Sequence, residues 1–297
     1  MDCSKGAGDS DRITREYFDS LLVEMRHIDS VLPDTRLKLY GETFTTPVMM
    51  AALSHLNERH ADGMVEMAAG AAAAGSCMWS GMGDEAELTR ITATGAKTIK
   101  IIKPYADNGM ILRKIAHAEE CGCIAVGMDV DHAFNGMGEY DVVHDLPMRG
   151  KSFDEIKRFV AATKLPFIIK GVLSVRDAVK CVRAGVGGIV VSHHHGIMDY
   201  AAPPLMALPK IAEAVGGKFP IFVDCGIESG MDVFKALALG ASAVSAGRVM
   251  IGPLAESGAE GVRARIEQMT AQLAGVMART CSPDIAGIEN SVIWKNR

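Results

Sequence analysis

Short apolar runs alternate with longer segments of helical periodicity from residue 46 onward. Most runs end abruptly in polar residues and glycine, which is typical of buried parallel strands. The pattern predicts eight strands, at residues 46–53, 76–81, 98–104 and 124–130 and from Phe167, Gly188, Ile221 and Ala243. It predicts helices at residues 61–75, 84–94, 106–122, 174–185, 203–216, 229–240 and 260–279, and one opened by the capping box Ser152-Phe-Asp-Glu155.

Eight strands that are each followed by a helix predict an α/β fold, a single (β/α)8 TIM barrel over residues 46–297. Residues 1–45 are expected to form a short N-terminal helical extension, with a helix over residues 10–22 and then a hairpin or loop that caps one end of the barrel. The main alternative is a doubly wound open sheet. It is disfavoured because no G-x-G-x-x-G motif follows the first strand.

Composition narrows the class of partner. The 297 residues are 48% hydrophobic and 23% charged, with a formal net charge of -5 and no basic stripe, so a small-molecule substrate is expected and nucleic acid is not. No apolar run has the length of a membrane span or a signal peptide, which predicts a cytoplasmic protein without a membrane partner. The seven cysteines lack zinc-site spacing and are expected to be reduced thiols.

Candidate chemistry lies at the predicted strand ends, which face one side of a barrel. Lys170 ends an apolar strand, where an ammonium group is costly unless a ligand or carboxylate neutralises it; a lysine that emerges into solvent is the competing explanation. His194 is the natural proton acceptor of the run His193-His194-His195. Strand alternation points His193 and His195 away from His194, which argues against a metal site formed by all three.

Two glycine-containing strand ends predict an anion site. Asp224-Cys-Gly226 and Ala246-Gly247-Arg248 end the seventh and eighth strands, where barrels often bind phosphate through backbone N–H groups. Arg248 would add a bidentate partner, although a surface ion pair is equally compatible with it. Asp129 and Asp131 follow the fourth strand, and either could orient the histidine or serve as a cap.

These motifs resemble those of the FMN-dependent 2-hydroxy-acid oxidase and dehydrogenase family, which includes glycolate oxidase, lactate oxidase, mandelate dehydrogenase and the flavin domain of flavocytochrome b2. The similarity is dense over residues 164–252 and rests on Lys170-Gly171, Ser192-x-His194-x-Gly196, Asp224-x-Gly226 and Gly247-Arg248. It implies a barrel that holds FMN and, by analogy, a homo-oligomer, often a tetramer.

The resemblance also implies roles for individual residues. His194 matches the base, Lys170 the lysine at the pyrimidine end of the flavin, and Asp131 the carboxylate that partners the base. The implied cofactor contacts are Ala52, Leu53, Ser54, Ser80, Lys170, Ser192, Asp224, Gly226, Gly247 and Arg248. The residues expected at the substrate are Lys103, His193 and His195, and no metal is expected.

The chain departs from the family pattern where the family binds the substrate carboxylate with two arginines. The corresponding positions here are Ile197-Met198 and the segment 134–140, which has no arginine. Glu228 also replaces an arginine expected near the phosphate. Either Lys103, Arg149 or a neighbouring histidine supplies the positive charge, or the substrate is not a small 2-hydroxy acid, and we favour an altered substrate.

The sequence therefore predicts an FMN-dependent oxidoreductase that acts on a CH-OH group, with His194 as acid/base and transfer of a hydride or electrons to flavin N5. The alternatives are an FMN-dependent isomerase of the type 2 isopentenyl-diphosphate isomerase kind, an aldolase that uses Lys170 as a Schiff base, and a catalytically inactive FMN-binding protein.

Overall fold

The computed structural model describes residues 6–295, so Cys3 lies outside the described residues. Within that range the helices are α1 (Ser10–Ser20), α2 (Gly63–Ala73), α3 (Glu85–Ala93), α4 (Asn108–Glu120), α5 (Phe153–Ala161), α6 (Val175–Ala184), α7 (Pro204–Val215), α8 (Gly230–Ala238) and α9 (Ile251–Ala278). None of these helices is both long enough and apolar enough to span a bilayer.

Eight parallel strands form the barrel. They are β4 (Val48–Met50), β5 (Met78–Ser80), β6 (Thr98–Ile102), β7 (Ala125–Asp129), β10 (Phe167–Val172), β11 (Gly188–Val191), β12 (Ile221–Val223) and β13 (Ala243–Ala246). From β5 to β13 each barrel strand pairs with the next along the chain, and β13 pairs with β4. Between β4 and β5 the Met50 N–H donates to the Cys77 carbonyl at 3.0 Å, which brings the two ends of the sheet together. The predicted eight-stranded barrel is confirmed.

The remaining strands form three short antiparallel pairs outside the barrel. They are β1 (Leu21–Val23) with β14 (Ile293–Lys295), β2 (Leu37–Leu39) with β3 (Glu42–Phe44), and β8 (Val142–Val143) with β9 (Leu146–Pro147). The β8–β9 hairpin lies inside the long connection after β7, where only a loop was predicted.

Two apolar layers hold the barrel together, because alternate strand residues point inward and outward. The inner layer includes Trp79 and Phe222, whose rings meet edge to face at 4.9 Å. The outer layer joins the strands to the surrounding helices, and it includes the buried face of α9.

The N-terminal extension touches both ends of the barrel, whereas the sequence suggested a cap at one end. The β2–β3 hairpin contributes Leu37 and Phe44 to the inner layer, and the Tyr40 hydroxyl donates to the Gly187 carbonyl just before β11. Helix α1 lies at the opposite end, where Thr14 contacts His193 after β11. The extension therefore helps to build the face on which the strands end.

Candidate active site

Lys170, Asp129 and His194 come together at the carboxyl ends of three neighbouring strands. Lys170 and Asp129 are register partners on β10 and β7, and His194 follows β11. The Lys170 ammonium lies 3.2 Å from Asp129 Oδ1 and 3.2 Å from His194 Nδ1. Parallel pairing thus places two residues that are 41 positions apart in direct contact.

The Lys170 ammonium is buried among carboxylates. Besides Asp129, it lies 3.5 Å from Asp224 Oδ2 at the end of β12. Burial alone would lower the pKa of Lys170, but Asp129 and Asp224 raise it well above the usual lysine value. The group is therefore a fixed positive charge at neutral pH.

Asp129 is the carboxylate shared by all the cationic groups here. Its Oδ2 accepts a hydrogen bond from Lys103 Nζ at 2.6 Å, and its Oδ1 lies 3.2 Å from His194 Nδ1. Burial opposes its ionisation, yet Lys170, His194 and Lys103 together hold the pKa of Asp129 well below its usual range.

His194 contacts the carboxylates of Asp129 and Asp131 through one of its two ring nitrogens. Nδ1 donates to Asp131 Oδ1 at 3.0 Å, and the backbone N–H of His194 donates to Ser192 Oγ at 3.0 Å. Burial and Lys170 lower the pKa of His194, but Asp129 and Asp131 outweigh them and raise it to about 9. Since Nδ1 faces the carboxylates, Nε2 is the nitrogen available to a substrate in the cavity that His194 lines.

The Asp131 carboxylate has fewer cationic partners than that of Asp129. One oxygen accepts from His194, whereas the buried Oδ2 has no hydrogen-bond partner among the described residues. Burial raises the pKa of Asp131 to about 6. A Cβ on Gly171, which has φ +94°, would lie 2.4 Å from Asp131 Cγ, so the Lys170-Gly171 pair requires glycine for this approach.

The other two histidines have different surroundings from His194. His193 is 2% exposed, accepts from the Gly196 N–H at Nδ1 and therefore donates from Nε2 to Thr14 Oγ1 at 2.7 Å. Both of its nitrogens are engaged, so the expected substrate role does not fit its position. His195 lines the cavity, with Nδ1 3.2 Å from Asp11 Oδ1.

A cavity of about 940 Å³ opens beside this cluster, within the size range of small-molecule and cofactor sites. The predicted residues that line it are Ala52, Leu53, Lys170, His194, His195, Asp224, Gly226, Gly247 and Arg248. Ser54, Ser80, Ser192, His193, Lys103 and Asp131 are not part of its lining. Sequence reasoning missed Arg15 and Arg265, which lie in its wall.

The glycine-containing ends of β12 and β13 lie at the wall of this cavity. Gly226 has φ +85°, and a Cβ there would lie 3.0 Å from Thr14 Cγ2 of α1. The β12 and β13 loops bring Gly226 and Gly247 to the wall together with Arg248, as expected of a barrel phosphate site. Arg248 is 3.2 Å from Asp11 on α1, so this arginine already has a partner.

Ser80 is fully buried beneath a second lysine that the sequence did not single out. Lys100 on β6 donates to Ser80 Oγ at 3.3 Å and to the Gly81 carbonyl. Burial, and secondarily the charge of Lys114, lowers the pKa of Lys100 to about 8. The lysine holds the ends of β5 and β6 together from inside the barrel.

The positions without the expected arginines are apolar and partly exposed. Ile197 is 40% and Met198 is 63% exposed, and the Phe134 and Tyr140 rings stack at 5.3 Å. Arg149 does not compensate, because it hydrogen-bonds Glu155 and the Gly150 carbonyl. Lys170 contacts His194, and Lys103 reaches the same cluster through Asp129. The His132 ring meets that of His194 edge to face at 4.9 Å, but burial lowers the pKa of His132 and disfavours a positive charge on it.

Comparison with known proteins matches most of the chain. The family described as FMN-dependent dehydrogenase matches residues 2–152 and 148–295. Glycolate oxidase 3 of Arabidopsis thaliana is 30% identical over 89% of this chain and 82% of its own length. L-lactate oxidase of Alicycliphilus denitrificans is 29% identical over 87% of this chain and 80% of its own length. A crystal structure of mandelate oxidase superposes with a TM-score of 0.90 at 28% identity, covering 98% of this chain and 93% of the other.

Proposed function

Because the chain belongs to the family of FMN-dependent dehydrogenases, we propose that it oxidises the CH-OH group of a small hydroxy compound with FMN as its cofactor. The observation that carries this proposal is the buried contact of Lys170, Asp129 and His194 beside a cavity of cofactor size. Relatives named glycolate oxidase and L-lactate oxidase use hydroxy acids as substrates, which supports the same class of reaction here.

The residues that would hold FMN come from four strand ends. Ala52 and Leu53 would contribute an apolar wall, Lys170 a positive charge, and the loops of Gly226 and Gly247 backbone N–H groups for the phosphate. When bound, FMN accepts the two electrons that leave the substrate carbon.

His194 then acts on the substrate hydroxyl. Oxidation of CH-OH to C=O releases one proton together with a hydride equivalent, and Nε2 of His194 takes the proton. Asp129 and Asp131 orient the ring through Nδ1 and stabilise the imidazolium that results. Lys170 places a permanent positive charge where negative charge develops.

The state of Lys170 disfavours an aldolase. A Schiff base requires a neutral amine, whereas the pKa of Lys170 is raised well above the usual value by Asp129 and Asp224 despite its burial. The lysine therefore suits electrostatic stabilisation rather than nucleophilic attack.

We propose that the substrate differs from a small 2-hydroxy acid bound by two arginines. The apolar residues Ile197, Met198 and Phe134 lie at those positions, and Lys103 is already paired with Asp129. A carboxylate placed there without a free cationic partner loses favourable binding energy. A hydroxy compound with an apolar substituent suits this rim better.

The direct test is the flavin spectrum of the purified protein under anaerobic conditions. We expect bound FMN to bleach on addition of the true substrate. Glycolate and lactate should reduce it only at concentrations above about 1 mM, the upper end of common KM values. A flavin that no hydroxy compound bleaches would identify an inert FMN-binding protein, and turnover of a diphosphate without net bleaching would identify an isomerase.

The pH dependence of flavin reduction should report His194. Because its pKa is raised to about 9, the neutral base is scarce at neutral pH and increases about tenfold per pH unit. We expect the second-order rate constant for anaerobic reduction to rise with pH and to level off above about 9. Stopped-flow measurement across this range is the check, and a rate that falls with rising pH would contradict the assignment.

We further propose a cytoplasmic homo-oligomer, with a tetramer as the expected form. Large apolar side chains are exposed on one N-terminal segment, among them Ile28 at 87% and Leu32 at 95%, and association would cover them. The described cysteines are free thiols, which suits a reducing compartment. Size-exclusion chromatography with light scattering should therefore give a mass near four chains, and a monomer would contradict it.

A further inference from the structure

Glu228 creates an electrostatic problem at the proposed phosphate site. It follows β12, lies at the cavity wall and is exposed. A carboxylate beside a phosphate dianion repels it, so a cation must lie nearby for tight binding. The sequence offered only Arg248 for this purpose, and Arg248 is ion-paired with Asp11.

Arg265 on α9 approaches the same loop from the side. Its Nη2 donates to the Glu228 carbonyl at 2.8 Å, and its Nη1 donates to Gln268 Oε1 at 2.6 Å. The buried Nε has no hydrogen-bond partner within the part of the chain that the structure describes. Nη1 and Nη2 each carry a second N–H, so the guanidinium retains donors beyond these two bonds.

Charge pairing distinguishes Arg265 from the other arginines of the cavity. Arg15 is 2.8 Å from Asp19 and 2.9 Å from Asp232, and Arg248 pairs with Asp11. No carboxylate of residues 6–295 lies within ion-pair distance of Arg265. Arg265 therefore carries a positive charge at the cavity wall that is not already neutralised.

We propose that Arg265 binds the phosphate of FMN, so that helix α9 supplies the cation that the β12 loop lacks. The proposal rests on the proposed function, since it assumes that FMN occupies the cavity. The contact with the Glu228 carbonyl fixes the guanidinium beside the β12 loop, and a phosphate oxygen would add charge-assisted hydrogen bonds.

The test compares two flavins that differ only in the phosphate. Dissociation constants of FMN and riboflavin are measured on the apoprotein by quenching of flavin fluorescence, for wild type and for Arg265→Ala. We expect the variant to bind FMN about 10- to 100-fold more weakly, and riboflavin with less than about a twofold change. The matched control is Arg263→Ala, because Arg263 lies on the same helix but pairs with Glu260 and Glu267.

A double variant separates binding from folding. Glu228→Arg in the Arg265→Ala background returns the cation to the loop and should restore FMN affinity. Equal weakening of FMN and riboflavin, or unchanged FMN binding, would overturn the role of Arg265 while leaving the proposed function intact. A wild-type protein that binds neither flavin would overturn both.

Discussion

Replacing His194 by alanine should slow reduction of the bound flavin by about 10²- to 10⁴-fold, the usual contribution of a general base. The loss should appear in the rate of reduction and not in flavin affinity, because Nδ1 is engaged by Asp131 and leaves Nε2 for the substrate, while the proposed phosphate contacts lie on other loops. Anaerobic stopped-flow spectroscopy measures the rate, and fluorescence quenching measures the affinity for FMN.

A suitable control for this variant is His27→Ala. His27 is exposed on the segment that packs against the C-terminal end of α9, away from the strand ends that form the cavity. This control should reduce flavin at the wild-type rate. If His194→Ala retained the wild-type rate, another group would be the base, and the proposed role of the Asp129 and Asp131 carboxylates would fail with it.

Replacing Asp129 by asparagine should lower the free energy of unfolding by about 3–5 kcal/mol, since it removes the shared partner of buried charges. Lys103 and Lys170 would lose their carboxylate at 2.6 Å and 3.2 Å, and the amide cannot carry the compensating charge. The pKa of His194 should also fall, because Asp129 is one of the two carboxylates that raise it. Urea unfolding near neutral pH measures the first effect, and the pH profile of flavin reduction measures the second.

Asp131→Asn provides the matched comparison. Asp131 contacts His194 but is partly protonated near pH 6, since burial raises its pKa. We therefore expect a loss of less than about 1.5 kcal/mol, the scale of one ordinary hydrogen bond. An equal loss of unfolding free energy in the two variants would contradict the role of Asp129 as the shared partner of the buried charges.

The assignment of the family's carboxylate illustrates what a single sequence leaves open. Asp129 ends β7 and Asp131 lies two positions later, and the family resemblance matches Asp131 to the carboxylate that partners the base. The structure places an oxygen of each carboxylate within 3.2 Å of His194 Nδ1. Of the two, only Asp129 accepts hydrogen bonds from Lys170 and Lys103. The choice of Asp131 as the catalytic carboxylate thus stays a prediction, and Asp129 joins it as a second positioning residue.

The sequence by itself determined the barrel, because the alternation of apolar runs and amphipathic segments is local and repeats eight times. It also placed Lys170, His194, Gly226 and Gly247 at strand ends, which a parallel barrel must bring to one face. What it did not determine was which charges meet. The contacts of Arg265 with Glu228, of His193 with Thr14 and of Arg248 with Asp11 join residues from 37 to 237 positions apart. Such contacts depend on how α1 and α9 pack on the barrel and on the direction of each side chain, and only the tertiary structure decided them.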